Sequence, residues 1–204
     1  MTAEIYLARH GETNYNLEGR IQGHIDQESE LTQRGIEQSE ALGIMLRDLG
    51  MPFDWIYSSN LRRARQTTQI ISRHLGNITI EYTPDLRERG MGSLEGRRIS
   101  DLGVGWEEDR RVYPLDQGEE FLPNDSEPFK SIDERARRMV QEFLNPKDSR
   151  ILVVSHGWFN RYMINLLLEE ERLLHSQGNG VIHYVRLDGS AKVEECKLNA
   201  IQLE

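Results

Sequence analysis

Short apolar runs alternate with longer stretches of helical periodicity along most of the chain. Runs typical of strands lie at 5–8, 53–57, 78–82 and 150–155. Segments whose apolar residues recur at helical spacing lie at about 33–49, 61–75, 129–144 and 157–168. This alternation predicts an α/β fold of three layers, α/β/α, in which a mostly parallel sheet carries helices on both faces.

Boundary residues support several of these elements. Thr32 before the first long helix and Gly50 after it are typical caps, and we expect Ser58-Ser59-Asn60 to cap the helix at 61–75. Near the C-terminus, the runs 181–187 and 191–197 flank Asp188-Gly189, which predicts a hairpin with a two-residue turn. The edge of this hairpin is a surface through which a homodimer could pair.

The segment from 83 to 128 breaks the alternation. It is rich in glycine, proline, arginine and acidic residues, and its periodicity is weak. We expect a lid-like insertion at about 92–128 within a single domain that spans residues 1–204, because long irregular segments of compact domains commonly carry function.

Composition excludes several classes of function. The 204 residues include 25 basic and 34 acidic side chains, and the net charge of −9 argues against binding nucleic acid or an anionic membrane, which need a basic surface. The single cysteine, Cys196, cannot form an intrachain disulfide, and the first residues lack a secretory signal. No apolar run reaches the roughly 20 residues that span a bilayer. We therefore expect a cytoplasmic protein.

The same dipeptide follows two of the apolar runs. His10-Gly11 follows the first run, and His156-Gly157 follows the run at 150–155. Because α/β sheets bind ligands at the carboxyl ends of parallel strands, we expect both imidazoles in one pocket, where the glycines would let the backbone approach an oxyanion. A neutral imidazole can attack phosphorus or bind a metal. Neither histidine has the sequence spacing of a metal site around it, which argues against a metal.

Charged neighbours of this pocket strengthen the case for a phosphate ligand. Arg9 precedes the first histidine, and a guanidinium suits phosphate oxygens. Arg63 lies in the first turn of a helix that follows a strand, where the helix dipole also favours an anion. Arg62 and Arg65 share this region, and such a group is ordinarily a solvated face, so only one arginine is expected to point inward.

Glu88 is a candidate acid in a loop punctuated by glycines. Partial burial would raise its pKa and suit it to donate a proton, whereas the flanking arginines would lower that pKa. By charge alone, Glu88 is more typical of a solvated loop residue.

Taken together, the residues resemble the histidine phosphatase superfamily, also called phosphoglycerate mutase-like, and in particular its small phosphatases. Four motifs carry the resemblance, in order, over about residues 5–165: Arg9-His10-Gly11-Glu12-Thr13 with Asn16, the segment 58–67, Leu86-Arg87-Glu88-Arg89 with Gly92 and Glu95-Gly96, and Val154-Ser155-His156-Gly157. The resemblance implies hydrolysis of a small phosphorylated metabolite, such as a sugar phosphate or a phosphoglycerate-like acid. It also implies that no cofactor is used and that no metal is bound.

The resemblance implies a role for each candidate. His10 would attack phosphorus and form a phosphohistidine, while Glu88 would protonate the leaving alkoxide and then accept a proton from the attacking water. The remaining candidates would hold the phosphoryl oxygens: Arg9, Arg63 and His156, with Asn16, Gln22 and the backbone N–H of Gly157 as further donors. Each charge-assisted hydrogen bond contributes about 1.5–3 kcal/mol, so several such donors matter more than any single one.

Two alternatives stay open. A cofactor-dependent phosphoglycerate mutase uses the same catalytic residues, and Arg110-Arg111 in the insertion could bind a second acidic group. The mutases typically have Glu-Arg-His-Tyr-Gly where this chain has Glu88-Arg89-Gly90-Met91-Gly92, and the segment from there to His156 is short for a mutase, so hydrolysis is favoured. The other alternative is a catalytically idle protein that binds a phosphorylated metabolite or a protein partner. It is disfavoured because every catalytic position is present.

The chain also departs from the family pattern near the pocket. The stretch 26–32 is longer than the usual Asp-x-Pro-Leu-Thr and lacks its proline. The stretch 123–127 stands where many small members have Gly-Gly-Glu-Ser. Substrate contacts at these two places therefore cannot be transferred from the family.

Overall fold

The computed structural model describes residues 2–76, 78–102, 122–145, 149–169 and 177–201. The strands within these ranges are β1 (Thr2–Arg9), β2 (Trp55–Ser59), β3 (Thr79–Thr83), β4 (Ser149–Ser155), β5 (Ile182–Asp188) and β6 (Val193–Ile201). The helices are α1 (Asn14–Leu17), α2 (Gln33–Asp48), α3 (Arg62–Leu75), α4 (Phe129–Leu144) and α5 (Gly157–Leu168), and short 3-10 turns lie at Pro84–Leu86, Gly92–Leu94 and Ile99–Leu102.

One six-stranded sheet runs in the order β3-β2-β4-β1-β5-β6. The first four of these strands are mutually parallel, whereas β5 is antiparallel to β1 and β6 to β5. Strand β4, late in the sequence, lies between β1 and β2. Arg9 pairs with Ser155 and Ser58 pairs with Val154, so three neighbouring strands end at the same level.

Helices cover both faces of this sheet, which confirms the predicted three layers. Along β1, the side chains of Ile5 and Leu7 face α4 and α5, while those of Tyr6 and Ala8 face α2 and α3. A strand covered on both sides needs apolar residues at successive positions, which is why β1 and β4 are continuous apolar runs in the sequence.

The boundaries of α4 and α5 agree with the sequence prediction, and α2 begins after Thr32, whose hydroxyl accepts from the backbone N–H of Gly35. The predicted cap of α3 was wrong. Its N-cap is Leu61, which makes no side-chain capping bond, and the carboxylate of Asp26 binds the N–H of Arg62 instead. The unusual stretch 26–32 thus caps a helix distant in the sequence.

The predicted two-residue turn of the C-terminal hairpin was also wrong. Strand β5 ends at Asp188 and β6 begins only at Val193. The carboxylate of Asp188 accepts from the backbone N–H groups of Ser190 and Lys192, at 2.8 and 3.0 Å, and these bonds stabilise a wider loop. Asp side chains form such local bonds readily, and here they decide the turn.

Both ends of the predicted lid lie within the described ranges. Ser93 N–H donates to the carboxylate of Asp125 at 2.8 Å and so joins the two ends. Gly92 has a φ of +54°, and a methyl group there would lie 2.3 Å from Asp125 Oδ1. The central part, 103–121, which includes Arg110 and Arg111, lies outside the described residues. No helix in the described ranges has the length and apolarity to cross a membrane.

Candidate active site

His10 is buried directly after β1, and its backbone N–H donates to the carbonyl of Ser155 at 3.0 Å. Its Nδ1 lies 2.8 Å from the carbonyl oxygen of Gly11. A carbonyl can only accept, so Nδ1 carries the proton and Nε2 keeps a lone pair. Burial, helped by Arg63 and Arg9, holds the pKa of His10 well below its usual value. The imidazole is therefore neutral near pH 7 and able to act as a nucleophile.

His156 is the second buried imidazole, and the ring centroids of the two histidines lie 5.1 Å apart. Its Nε2 lies 2.9 Å from the hydroxyl of Ser59, whereas its Nδ1 is buried without a hydrogen-bond partner among the described residues. Burial, then Arg63 and His10, holds the pKa of His156 well below its usual value. The structure thus brings the two predicted histidines together as neutral groups.

Arg63 is 1% exposed, whereas Arg62 and Arg65 are exposed, as expected if one arginine points inward. Its Nη1 and Nη2 donate to the carbonyls of Ile25 and Gly23, at 2.9 and 2.8 Å. Burial lowers the pKa of Arg63 to about 10 against the opposing effect of Glu88, so the guanidinium stays charged at neutral pH.

Arg9 lies against the second His-Gly. Its Nη1 donates to the carbonyl of Gln177 at 2.7 Å. A methyl group on Gly157 would lie 3.1 Å from Nε and 3.2 Å from Cζ of Arg9. Glycine at position 157 therefore makes room for this guanidinium.

Gly11 has a different reason to be glycine. A methyl group on it would lie 2.4 Å from the carbonyl oxygen of Gly35 in α2, and its N–H donates to Thr67 Oγ1 at 3.0 Å. Because that N–H is already bonded, Gly11 does not offer it to an oxyanion. Our expectation that each glycine serves the approach of backbone to a ligand was wrong here, since close helix packing explains this one.

Glu88 is held at the N-terminus of α5, beside His156. Its carboxylate accepts from the backbone N–H groups of Trp158 at 3.2 Å, Phe159 at 3.1 Å and Arg89 at 3.1 Å. The flanking arginines point to other partners, because Arg87 Nε donates to Asn60 at 2.7 Å and Arg89 Nε donates to the carbonyl of Glu127 at 3.2 Å. Glu88 is therefore a fixed, half-buried group rather than a solvated one.

The loop that carries Glu88 is held by a buried ion pair that the sequence analysis missed. Arg135 on α4 donates to the carboxylate of Glu127 at 2.9 Å and to the carbonyls of Asp85, Arg87 and Glu88. The signal was present, since Arg135 lies within the apolar stripe of α4, where an arginine needs a buried partner.

Asn16 and Gln22 lie beside the loop that follows His10. The amide oxygen of Asn16 accepts from the N–H of Thr13 at 3.1 Å, and that of Gln22 accepts from the hydroxyl of Ser29 at 2.6 Å. The structure thus uses both side chains to brace this loop. Their NH₂ groups are the ends that would serve as phosphate donors.

A further segment, 177–181, supports the end of β1. Asn179 Nδ2 donates to the carbonyl of His10 at 2.6 Å, and Gln177 Nε2 donates to the carbonyl of Leu7 at 2.7 Å. Asn160 on α5 donates to the Gln177 side chain at 2.9 Å. Sequence reasoning missed these amides because nothing local marks a contact between such distant segments.

Potential metal ligands do not gather in the described ranges, where no three His, Cys, Asp or Glu side chains form a group that could hold an ion. The expectation of metal-free chemistry stays a prediction.

The sequence model of the histidine phosphatase superfamily (branch 1) matches residues 5–195. The chain belongs to this superfamily. It is 36% identical over 81% of its length to a probable phosphoglycerate mutase GpmB of Erwinia tasmaniensis, covering 74% of that protein. It is 34% identical over 84% of its length to a broad-specificity phosphatase, YOR283W, of Saccharomyces cerevisiae, covering 73% of it.

A similar solved structure is that of a phosphoserine phosphatase from Entamoeba histolytica in complex with 3-phosphoglyceric acid. The TM-score is 0.76 at 28% identity, and the match covers 98% of both chains. Fold and superfamily membership therefore agree with the expectation from the four motifs, and the relatives include enzymes named as phosphatases and as mutases.

Proposed function

We propose that this superfamily member is a phosphomonoesterase that hydrolyses a small phosphorylated metabolite through a phosphohistidine at His10. The observation that carries the proposal is the hydrogen bond from His10 Nδ1 to the Gly11 carbonyl. This bond leaves the lone pair on Nε2, and burial, followed by the nearby Arg63 and Arg9, holds the pKa of His10 well below its usual value. Such a group is a nucleophile at neutral pH.

The first step forms a bond between His10 Nε2 and phosphorus and breaks the bond between phosphorus and the ester oxygen. Glu88 is the acid that we propose gives a proton to the departing alkoxide. In the second step, Glu88 takes a proton from water, whose oxygen attacks phosphorus and releases inorganic phosphate. The N–P bond breaks, and His10 is again neutral.

Charge stabilisation is the main task of the other groups. Phosphate monoesters hydrolyse so slowly that catalysis can require up to about 10²¹-fold acceleration, most of which comes from positioning and fixed donors. Arg9 and Arg63 supply positive charge in a protein of net charge −9, so attraction of an anionic substrate is local. Asn16, Gln22 and the N–H of Gly157 are proposed as additional donors.

The relatives support a small substrate without choosing one. The yeast relative is named a broad-specificity phosphatase, and the Entamoeba structure contains 3-phosphoglyceric acid. We propose a sugar phosphate or a phosphoglycerate-like acid as substrate class, and we propose catalysis without a divalent metal because the arginines and His156 would stabilise the phosphoryl charge.

We also propose a cellular setting for the enzyme. The acidic composition and the single cysteine, Cys196, favour a cytoplasmic protein that binds neither nucleic acid nor membranes. Pairing of two chains is a further proposal, supported by the position of β6 at an edge of the sheet.

Phosphoglycerate mutase activity is the second candidate, favoured by the 36% identity to a probable GpmB. A panel of sugar phosphates, phosphoserine and 3-phosphoglycerate, scored for phosphate release, tests hydrolysis. Mutase turnover with 2,3-bisphosphoglycerate is measured in parallel. We expect hydrolysis to exceed mutase turnover and to persist in chelator.

Three results would contradict the proposal, each in a different part. Mutase turnover above hydrolysis would reverse the choice between the candidates. Tight binding of phosphate esters without phosphate release would favour the catalytically idle alternative. Activity lost in chelator and restored by magnesium would contradict the metal-free step alone.

A further inference from the structure

Ser59 ends β2, the neighbour of β4, and its hydroxyl lies 2.9 Å from Nε2 of His156. Both side chains are fully buried. A neutral imidazole carries one proton, on Nδ1 or on Nε2, and the hydrogen bond made by one nitrogen fixes the state of the other. The contact with Ser59 therefore decides which nitrogen of His156 can donate.

The direction of this hydrogen bond follows from the other contact of the hydroxyl. The backbone N–H of Leu61 donates to Ser59 Oγ at 3.3 Å, so the hydroxyl already accepts there. Within the described part of the chain, the acceptor placed to receive the hydroxyl proton is Nε2 of His156. A proton on Nε2 instead would leave the buried hydroxyl proton without an acceptor, which native structures avoid.

We propose that Ser59 is a positioning residue that holds His156 in the tautomer protonated on Nδ1, so that Nδ1 donates to a phosphoryl oxygen during transfer to His10. The role in transfer rests on the proposed function. Nδ1 is buried and has no hydrogen-bond partner among the described residues, which marks it as an atom whose partner is the ligand. A phosphoryl oxygen only accepts, so the opposite tautomer would present a lone pair to it and repel it.

His156 does not become a donor by binding a second proton. Burial and the nearby Arg63 hold the pKa of His156 well below its usual value, so the ring stays neutral at pH 7. A charged imidazole would donate from both nitrogens whatever its neighbours. In a neutral ring, the ability to donate depends on the tautomer alone, and hence on Ser59.

The tautomer is measured directly in the free protein. Long-range ¹H–¹⁵N correlation spectra of ¹⁵N-labelled protein at pH 7.5 distinguish protonated from bare ring nitrogens, and a His156→Gln sample identifies the signals. We expect His156 protonated on Nδ1 in the unaltered protein. In Ser59→Ala, we expect a population protonated on Nε2 to appear.

Turnover provides the functional readout. Removing a whole transition-state donor costs roughly 10²–10³-fold in kcat. Ser59→Ala keeps the donor and removes only the hydrogen bond that fixes its tautomer. We therefore expect kcat to fall by about tenfold with a smaller change in KM. Ser59→Thr keeps a hydroxyl and should retain both the tautomer protonated on Nδ1 and most of kcat. A structural role of Ser59 alone would not move the tautomer.

Ser58→Ala is a matched control on the same strand. Ser58 is equally buried, but its hydroxyl donates to the carbonyl of Ser59 at 3.0 Å and accepts from Thr68 at 2.8 Å. The loss of one buried hydroxyl is the same, and the contact with His156 remains. We expect the spectrum and kcat of this variant to match the unaltered protein.

Different results would contradict the role of Ser59 and the phosphatase function. His156 protonated on Nε2 in the unaltered protein, or a Ser59→Ala variant with unchanged tautomer and kcat, would overturn the role of Ser59. The expected tautomer in a protein that releases no phosphate from any ester would support the tautomer assignment and contradict the phosphatase function.

Discussion

The dipeptide His-Gly occurs at the ends of two paired strands, β1 and β4, and its two copies are bonded differently. His10 donates a hydrogen bond from Nδ1 to the carbonyl of the next residue, Gly11, and keeps a lone pair on Nε2. His156 is bound at Nε2 by Ser59, 97 positions earlier in the chain, and its Nδ1 has no hydrogen-bond partner among the described residues. Burial leaves both rings neutral.

This difference suits one local sequence to the two chemical roles that we propose. The strands place both imidazoles at the same level of the sheet, because Arg9 and Ser155 are directly paired. In the proposed mechanism, the group that binds the other ring nitrogen is what separates the nucleophile from the donor. In one case it is a backbone acceptor, and in the other it is a hydroxyl from β2.

Replacing each histidine by alanine tests the comparison most directly. His10→Ala removes the nucleophile, and we expect kcat to fall by at least about 10⁴-fold. His156→Ala removes a donor, and we expect a fall of roughly 10²–10³-fold. Initial rates of phosphate release from the best ester of the panel give both values.

Trapping the intermediate separates the two roles without relying on rates. Acid-labile phosphoenzyme should form from labelled substrate in His156→Ala and should be absent in His10→Ala. Thermal unfolding of both variants checks that they are folded. Equal losses of kcat, or labelled phosphoenzyme in the variant without His10, would show that the assignment is wrong.

Amide side chains at position 156 test which ring nitrogen is the donor. The amide nitrogen of asparagine can occupy roughly the place of Nδ1, whereas that of glutamine lies nearer the place of Nε2. We therefore expect His156→Asn to retain about ten times the kcat of His156→Gln, since one hydrogen bond to a charged group contributes about 1.5–3 kcal/mol. The same pair at position 10 should be uniformly inactive, because an amide is no nucleophile. Higher activity with glutamine would place the donor at Nε2.

Much of the fold was predictable from the sequence. The apolar runs of β1 and β4 and the periodicity of α4 and α5 are local signals, and the structure keeps those elements close to where the sequence places them. The α3 cap and the hairpin loop were not predictable, because Asp26 acts from a distant loop and the Asp188 carboxylate overrides a strong dipeptide signal.

The chemical groups of the site were predicted more fully than the groups that support them. His10, Arg63 and His156 each follow the end of a strand or begin a helix, so topology alone gathers them. The sequence predicts Ser59 only as a helix cap and places position 135 only within a helix, because the contact of Ser59 depends on the order of the strands and that of Arg135 on a buried ion pair. Neither fact has a local signature.

Alanine at Gly11 and at Gly157, the glycines that follow the two histidines, should have smaller effects. In Gly11→Ala, the added methyl meets the backbone of Gly35 at 2.4 Å, so α2 must shift, and we expect a loss of about 1–3 kcal/mol in the free energy of unfolding. In Gly157→Ala, the methyl meets the Arg9 side chain at 3.1 Å, which can move. We expect a smaller loss of stability there and a rise in KM. Urea unfolding and steady-state kinetics test this, and the reverse pattern would contradict it.

The last expected effect is the dependence of the free energy of unfolding on pH. Both histidines have folded-state pKa values well below the unfolded value of about 6.5. Below that pH the unfolded chain binds more protons, so the stabilisation is fully present above about pH 6.5 and is lost as the pH falls toward the folded pKa. Each histidine contributes at most about 1.4 kcal/mol per pH unit.

Urea unfolding between pH 7 and pH 5.5 measures this loss in the unaltered protein, in His10→Gln and in His156→Gln. Each substitution should flatten the decline in the free energy of unfolding, because glutamine does not titrate, and the double variant should flatten it most. The two single variants should act similarly, since burial is the leading cause of the lowered pKa at both positions. A decline that persists unchanged without either histidine would mean that the folded protein does not lower the pKa values of the two rings, which would contradict the neutral His10 on which the proposed attack depends.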